Sequence, residues 1–297
     1  MVTLKRTIIF GLLLLPAVIS KAQQAKVNEA YTFLQSGKLE EAKAAIDAAV
    51  VHPETQADGQ AWYIRGFVYK TIYNQSEKSN KQSPSRLEAL LSFKKSLGLD
   101  TTKENVQENI KNVKYLATTL YNDAAASLDT IDYKIAIKDF DIFREYYKLV
   151  DPSKENFKEK EISFSNAIAT VYTKIYDGDT KGKNEFNDSA KAAYGRSLKL
   201  DPNNIQANYN MGILYYNQAV RLINQSDYDL DIVALNDVQD NSITLFKNAL
   251  PFMEKAYSLD PNRKETLLGL SGIYFSLNEK EKSNEFKQKL EQIGGGK

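Results

Sequence analysis

The chain has 297 residues, with 39 Lys and Arg against 38 Asp and Glu, one His, one Trp, 18 Tyr and no Cys. No disulfide, thiolate nucleophile or Cys-based zinc site can form, and a single His leaves no multi-histidine metal site. A near-zero net charge of mixed signs argues against nucleic-acid binding, which needs a basic face.

The chain opens with an export pattern. Lys5 and Arg6 precede an uncharged run from Ile8 to Ile19, and Ser20-Lys21-Ala22 puts small residues at −3 and −1 of a cut after Ala22. Twelve residues rise about 18 Å as a helix, short of a roughly 30 Å hydrocarbon core. Residues 1–22 are therefore expected to be a signal peptide, and the mature chain to begin at Gln23. It would be exported, to the periplasm or the medium, with no membrane insertion.

A short phrase then recurs: Leu99-Asp100-Thr101, Val150-Asp151-Pro152, Leu200-Asp201-Pro202 and Leu259-Asp260-Pro261, with Val51-His52-Pro53 as a degenerate first copy. Each copy is expected to end one helix and start the next, Asp capping the new helix and Pro entering its first turn. Upstream of each copy lies a triad at i, i+4, i+7, which falls on one helix face. These are Ala42/Ile46/Ala49, Ala89/Phe93/Ser96, Ala190/Tyr194/Ser197 and Ala249/Met253/Ala256. The third copy is the poorest: Ala136 and Phe140 fit, but Pro152 comes late, so that helix should run on through Tyr147. Downstream of each turn a small residue is followed three later by Tyr: Gly66/Tyr69, Ala169/Tyr172, Gly212/Tyr215 and Ser271/Tyr274. A small residue there lets two helices approach closely.

These residues resemble the tetratricopeptide (TPR) family. Trp62, Gly66 and Tyr69 match its first-helix signature; Ala190, Tyr194, Ser197 and Pro202 match its second-helix signature. The resemblance implies an all-α solenoid of five to six antiparallel helix pairs over 23–293, stacked as a right-handed superhelix. The repeats average near 50 residues, where the family has 34. The surplus lies in polar inserts at 74–85, 177–187 and 225–241, expected as lengthened helices plus loops. Residues from Asn224 could also start a short extra helix. The charged stretch Glu279–Lys289 is expected to cap the open end, and 294–297 to be a flexible Gly-rich tail.

Chemistry-bearing candidates are few. His52 sits in an expected turn with no nucleophile beside it. Trp62 falls on a packing position. Asp177 to Asp188 imitates a calcium loop, but Lys181 stands where an oxygen ligand belongs. Asp227, Asp229 and Asp231 read as a solvated loop edge. No cofactor, metal or catalytic residue is expected.

In the family, the first helix of each pair lines a concave groove. The resemblance carries that register onto Asn28, Tyr63, Tyr121, Asn122, Asn166, Tyr209, Asn210 and Tyr216. Asn offers both donor and acceptor to a peptide backbone, and Tyr adds area with a polar tip. The family's chaperone-binding subset also needs Lys and Arg, where this chain has Thr118 and Gln206. The resemblance therefore implies a non-catalytic interaction module or scaffold of the cell envelope, holding a peptide or partner protein. A small-ligand or glycan binder using clustered Tyr side chains is the alternative. An enzyme with paired carboxylates is a third reading. The partner and oligomeric state are not legible.

Overall fold

The computed structural model describes residues 15–151, 154–178, 184–226 and 231–294. Most of the expected signal segment, the centre of the calcium-like stretch and the end of the Gly-rich tail lie outside these residues. Twelve α-helices occur among the described residues: α1 (Leu15–Gln35), α2 (Leu39–Val50), α3 (Gly59–Ile72), α4 (Pro84–Leu99), α5 (Val106–Ala126), α6 (Tyr133–Val150), α7 (Glu155–Gly178), α8 (Asn184–Leu200), α9 (Ile205–Asn224), α10 (Ile232–Leu259), α11 (Lys264–Ser276) and α12 (Lys280–Gly294). Successive helices pack as six pairs, α1/α2 through α11/α12. This is the TPR-like all-α arrangement that the repeats imply. Among the described helices none is long and apolar enough to cross a membrane.

The chain forms two compact units. One comprises the residues through Ala126 together with Ile135–Lys154; the other comprises Ser127–Lys134 together with the chain from Glu155 onward.

The triads are the core of each pair. Ala42, Ile46, Ala49, Ala89, Phe93, Ser96, Ala190, Ser197, Ala249, Met253 and Ala256 are all fully buried, and Tyr194 is nearly so. In the third copy Ala136 and Phe140 are buried as expected, and α6 runs on to Val150, past Tyr147. The small residues of the first helices bring their partners close. A β-carbon on Gly212 would stand 3.1 Å from Cε of Met253, on the facing helix.

Polar side chains fasten neighbouring pairs in the first unit. The Asp47 carboxylate accepts from the Tyr69 hydroxyl at 2.7 Å and from Arg65 at 2.8 Å, while Arg65 also pairs with Glu88 at 2.8 Å. Arg86, 1% exposed, donates to Asp123 at 2.5 Å and to the carbonyl of Lys81, with its guanidinium over the Tyr73 ring.

The turns follow the expected phrase, but its two residues act differently. Helices α4, α6, α8 and α10 end at Leu99, Val150, Leu200 and Leu259, one residue before each Asp. The Asp N–H closes the helix by donating to the small residue of the triad, as Asp201 does to the Ser197 carbonyl at 2.8 Å. In the Asp201-Pro202 and Asp260-Pro261 copies the carboxylate does not cap the next helix. Asp201 and Asp260 accept from the N–H two residues on, Asn203 at 3.0 Å and Asn262 at 3.2 Å. Pro202 is the second residue of a β-turn closed by Asn204 N–H on the Asp201 carbonyl at 3.1 Å, where its fixed φ fits. The cap of α9 is Asn204, whose side chain accepts from Ala207 N–H at 2.9 Å.

The described residues of the inserts are largely helix. Residues Tyr73–Glu77 continue α3 as a π-helical turn, and Glu77 then accepts from the hydroxyls of Ser83 and Ser85 at 2.6 and 2.7 Å. Ser83 caps α4, with Pro84 in its first turn. The stretch from Ile232 is not a separate short helix but the first turns of the 28-residue α10.

Candidate functional site: the cleft between α9 and α11

Within the second unit, the first helices of the last two pairs lie side by side, and glycine sets their spacing. A β-carbon on Gly269 of α11 would stand 2.8 Å from Cε of Met253, the side chain that also fills the space over Gly212. A β-carbon on Gly272 would stand 3.1 Å from the Tyr216 hydroxyl. A larger residue at these positions would meet the ends of the Met253 and Tyr216 side chains, which would have to shift to admit it.

The result is a cleft of ≈ 570 Å³, lined on α9 by Tyr209, Ile213 and Tyr216, and on α11 by Glu265, Leu268, Gly272 and Phe275, with Lys287 contributed by α12. The α9 residues recur at i, i+4 and i+7, so they form one stripe. Leu268 and Phe275 are 64% and 63% exposed, although both are large and apolar. Exposed apolar area gathered in a concavity, rather than scattered singly, marks a place for a ligand surface.

The polar groups are arranged around that apolar floor. The Arg263 guanidinium lies 4.0 Å from the centre of the Tyr209 ring and pairs with Glu265 at 3.5 Å. Burial raises the Tyr209 pKa, Arg263 draws it down and Glu265 raises it, so the phenol stays protonated and able to donate. The Lys287 ammonium stands 5.7 Å from the centre of the Phe275 ring. From Glu265 to Phe275 is ten residues of helix, about 15 Å, the length of four to five residues of extended peptide.

The residues expected to line the groove are placed unequally. Tyr209 and Tyr216 line the cleft, Tyr216 with its ring 5.4 Å from Phe246. Asn210 is half-buried, with its side chain turned toward the Tyr194 hydroxyl on α8. Asn166 is buried and donates to the Asn204 side chain at 3.1 Å, steadying the cap of α9. In the first unit Asn28 and Asn122 are exposed. Tyr63 packs 5.0 Å from Phe67, and Tyr121 packs 5.2 Å from Phe143. These two rings therefore serve separate helix-pair cores, and the clustering that a glycan binder would need is not seen for them.

Leu268 and Phe275 were absent from the expected set, yet the signal was present. Leu268 lies three before Ser271, as Tyr209 lies three before Gly212. Phe275 lies four after Ser271, as Tyr216 lies four after Gly212. The register that picked out α9 applies unchanged to α11.

Among its described lining residues the cleft holds one carboxylate, Glu265, so it offers no pair for acid–base hydrolysis. Asp139 has its pKa raised by burial, but it is 4% exposed and faces Arg86 in the first unit. His52 occupies a turn, where its Nδ1 accepts from Glu54 N–H at 3.3 Å. Among the described residues no group of three or more His, Asp or Glu side chains is placed to hold a metal ion.

No family model matches the chain, and no curated protein matches it. Solved structures do. The chain is similar to Pseudomonas aeruginosa pilF at 13% identity, over 93% of this chain and 94% of that one, with a TM-score of 0.36. It is similar to the MamA protein at 14% identity, over 77% of this chain and 91% of that one, with a TM-score of 0.34. It is also similar to a tetratricopeptide repeat protein from Parabacteroides merdae at 16% identity, over 93% and 95% of the two chains, with a TM-score of 0.26.

Proposed function

We propose that the protein is an exported, non-catalytic interaction module of the cell envelope, and that it holds a peptide segment of a partner protein in the cleft between α9 and α11. The observation that carries this reading is the pair of exposed apolar side chains, Leu268 and Phe275, set opposite Tyr209, Ile213 and Tyr216. An apolar floor gives affinity to a short segment. The Tyr209 hydroxyl, Glu265 and Lys287 give it polar groups at the rim, which fix direction and register. In this reading Asn28 and Asn122, with the parts of the half-buried Tyr63 and Tyr121 rings that their helix-pair cores leave open, supply the corresponding face of the first unit.

The test is capture from a native envelope extract by the chain from Gln23, with a photo-crosslinking residue at Phe275. Leu268→Ser/Phe275→Ser is the matched control, both positions being exposed and removable without opening the core. A crosslinked protein that the control loses supports the cleft. Equal capture by both proteins sinks it.

A further inference from the structure

The two ends of the α9–α11 cleft differ in charge. Arg263 lies against Tyr209, and Gly272 lies against Tyr216, so the two helices run in the same direction and the ends are distinct. At the Tyr209 end Glu265 pairs with Arg263 at 3.5 Å, and the guanidinium is held 4.0 Å from the centre of the Tyr209 ring. The opposite charges there largely cancel. At the Tyr216 end stands the Lys287 ammonium, 5.7 Å from the centre of the Phe275 ring.

Lys287 differs from its neighbours on α12. Lys282 is held by Glu279 at 2.7 Å and Lys289 by Glu285 at 2.6 Å. Among the described residues Lys287 forms no ion pair, although Glu291 follows four residues on. One end of the cleft is thus close to neutral and the other carries an unmatched cation beside an exposed apolar ring. A charge at the edge of an apolar wall is less well screened than one in open water, so it discriminates more sharply between ligand charges.

We propose, on the reading that the cleft holds a peptide, that the bound segment is an extended one carrying an acidic side chain at one end of its apolar anchor. Leu268 and Phe275 are seven residues apart, about 10 Å along the helix, or about three residues of extended chain. Two apolar side chains at that separation lie over them, and an Asp or Glu next to the second meets Lys287. The reverse orientation sets the acid beside Glu265 and leaves Lys287 bare. A basic residue at the Phe275 end meets Lys287 and is rejected. The apolar pair supplies affinity, and the charge selects direction.

The test is selection of random heptapeptides displayed on phage and fused through their C-termini, so that only side-chain carboxylates are on offer. The target is the chain from Gln23 as wild type, Lys287→Glu and Leu268→Ser/Phe275→Ser. Wild type should enrich apolar pairs with Asp or Glu on one side only, and Lys287→Glu should replace those acids with Lys or Arg. A synthetic peptide of the enriched sequence, read by fluorescence anisotropy, should lose about twofold to fivefold in affinity to Lys287→Gln, and the loss should shrink as salt rises. Lys282→Gln removes a charge from the same helix outside the cleft and should change nothing. Peptides that need Leu268 and Phe275 but show no acid preference overturn the proposal and leave the cleft reading intact, as does a Lys287→Glu variant that enriches the wild-type sequences. Equal enrichment on Leu268→Ser/Phe275→Ser, or no enrichment on wild type, overturns the cleft reading and the proposal with it. A synthetic peptide with neutral side chains and a free C-terminus that shows the same dependence on Lys287 assigns the carboxylate to a chain end and overturns the side-chain source.

Discussion

Gly66 sits directly over the ring of Phe93, so close that a β-carbon on Gly66 would stand 2.5 Å from Cε1. The contact joins the small position of a first helix to the aromatic position of its second helix. It is the tightest of the glycine approaches in the molecule's described residues. Two glycines inside helices can therefore be set against each other. Alanine favours a helix interior over glycine by about 1 kcal/mol. At Gly195 in α8 a β-carbon meets nothing within 4 Å, so Gly195→Ala should gain up to that amount. At Gly66 the clash is with a fully buried ring, and Gly66→Ala should lose about 1–3 kcal/mol net of the propensity gain. Urea unfolding of the two variants checks both signs.

Asp47 and Asp139 should respond to pH in opposite directions. Burial pushes the Asp47 pKa up, but hydrogen bonds from Tyr69 and Arg65 outweigh it and hold the carboxyl below its ordinary value. Its contribution is present above the unfolded-state pKa and lost as pH falls through the lower folded-state value. Asp47→Asn should therefore be less stable than wild type at pH 7, with the gap closing on acidification. Asp139 has a pKa raised by burial, against the pull of Arg86. Ionising it opposes folding, so Asp139→Asn should be more stable at pH 7. That gain should shrink as pH falls through the raised folded-state pKa, where wild type becomes protonated. Denaturant midpoints measured from about pH 3 to about pH 8 check both.

Export can be read from mass alone. If Ala22 ends a signal peptide, protein recovered from outside the cytoplasm begins at Gln23, and intact-mass spectrometry finds the first 22 residues missing. A full-length mass in that fraction rules the cut out. Lys5→Glu/Arg6→Glu should trap the longer form inside the cell, since the positive charge before the apolar run is what orients it.

Asn166 and Asn204 give a prediction about structure rather than binding. The Asn166 amide is buried and donates to the side chain that caps α9. Asn166→Ala removes that donor and leaves Asn204 its cap role alone, for a loss of about 1 kcal/mol. Asn204→Ala removes the cap itself, for about 0.5–2 kcal/mol. The double variant should lose less than the sum, because the two changes break one chain of bonds.

The helix pairs were legible because the triads obey a spacing that only packing enforces. Ala42, Ile46 and Ala49, or Ala249, Met253 and Ala256, are small and large in the order that facing helices need, and all are fully buried. The turn phrase was legible as a boundary but not in its chemistry. A carboxylate before Pro can cap a helix or close its own turn, and which occurs depends on whether a better cap, here Asn204, lies downstream. The cleft was half legible. Tyr209 and Tyr216 follow from the register, whereas the inward use of Asn166 and Asn210 depends on partners, Asn204 and the Tyr194 hydroxyl, that lie on other helices.

The membership of the two units weaves through the chain in a way that bears on how it can be divided. Residues Ser127–Lys134 belong with the later helices, while Ile135–Lys154 belong with the earlier ones. The Tyr133 ring lies 5.7 Å from Tyr172 and 6.3 Å from Phe186, so it is part of the later core. A single peptide cleavage cannot then yield two intact halves. Cutting after Ala126 strips α6 from the first body, and cutting after Lys154 strips Tyr133 from the second. A fragment that ends at either junction therefore lacks part of one unit, and both units are whole only in the undivided chain.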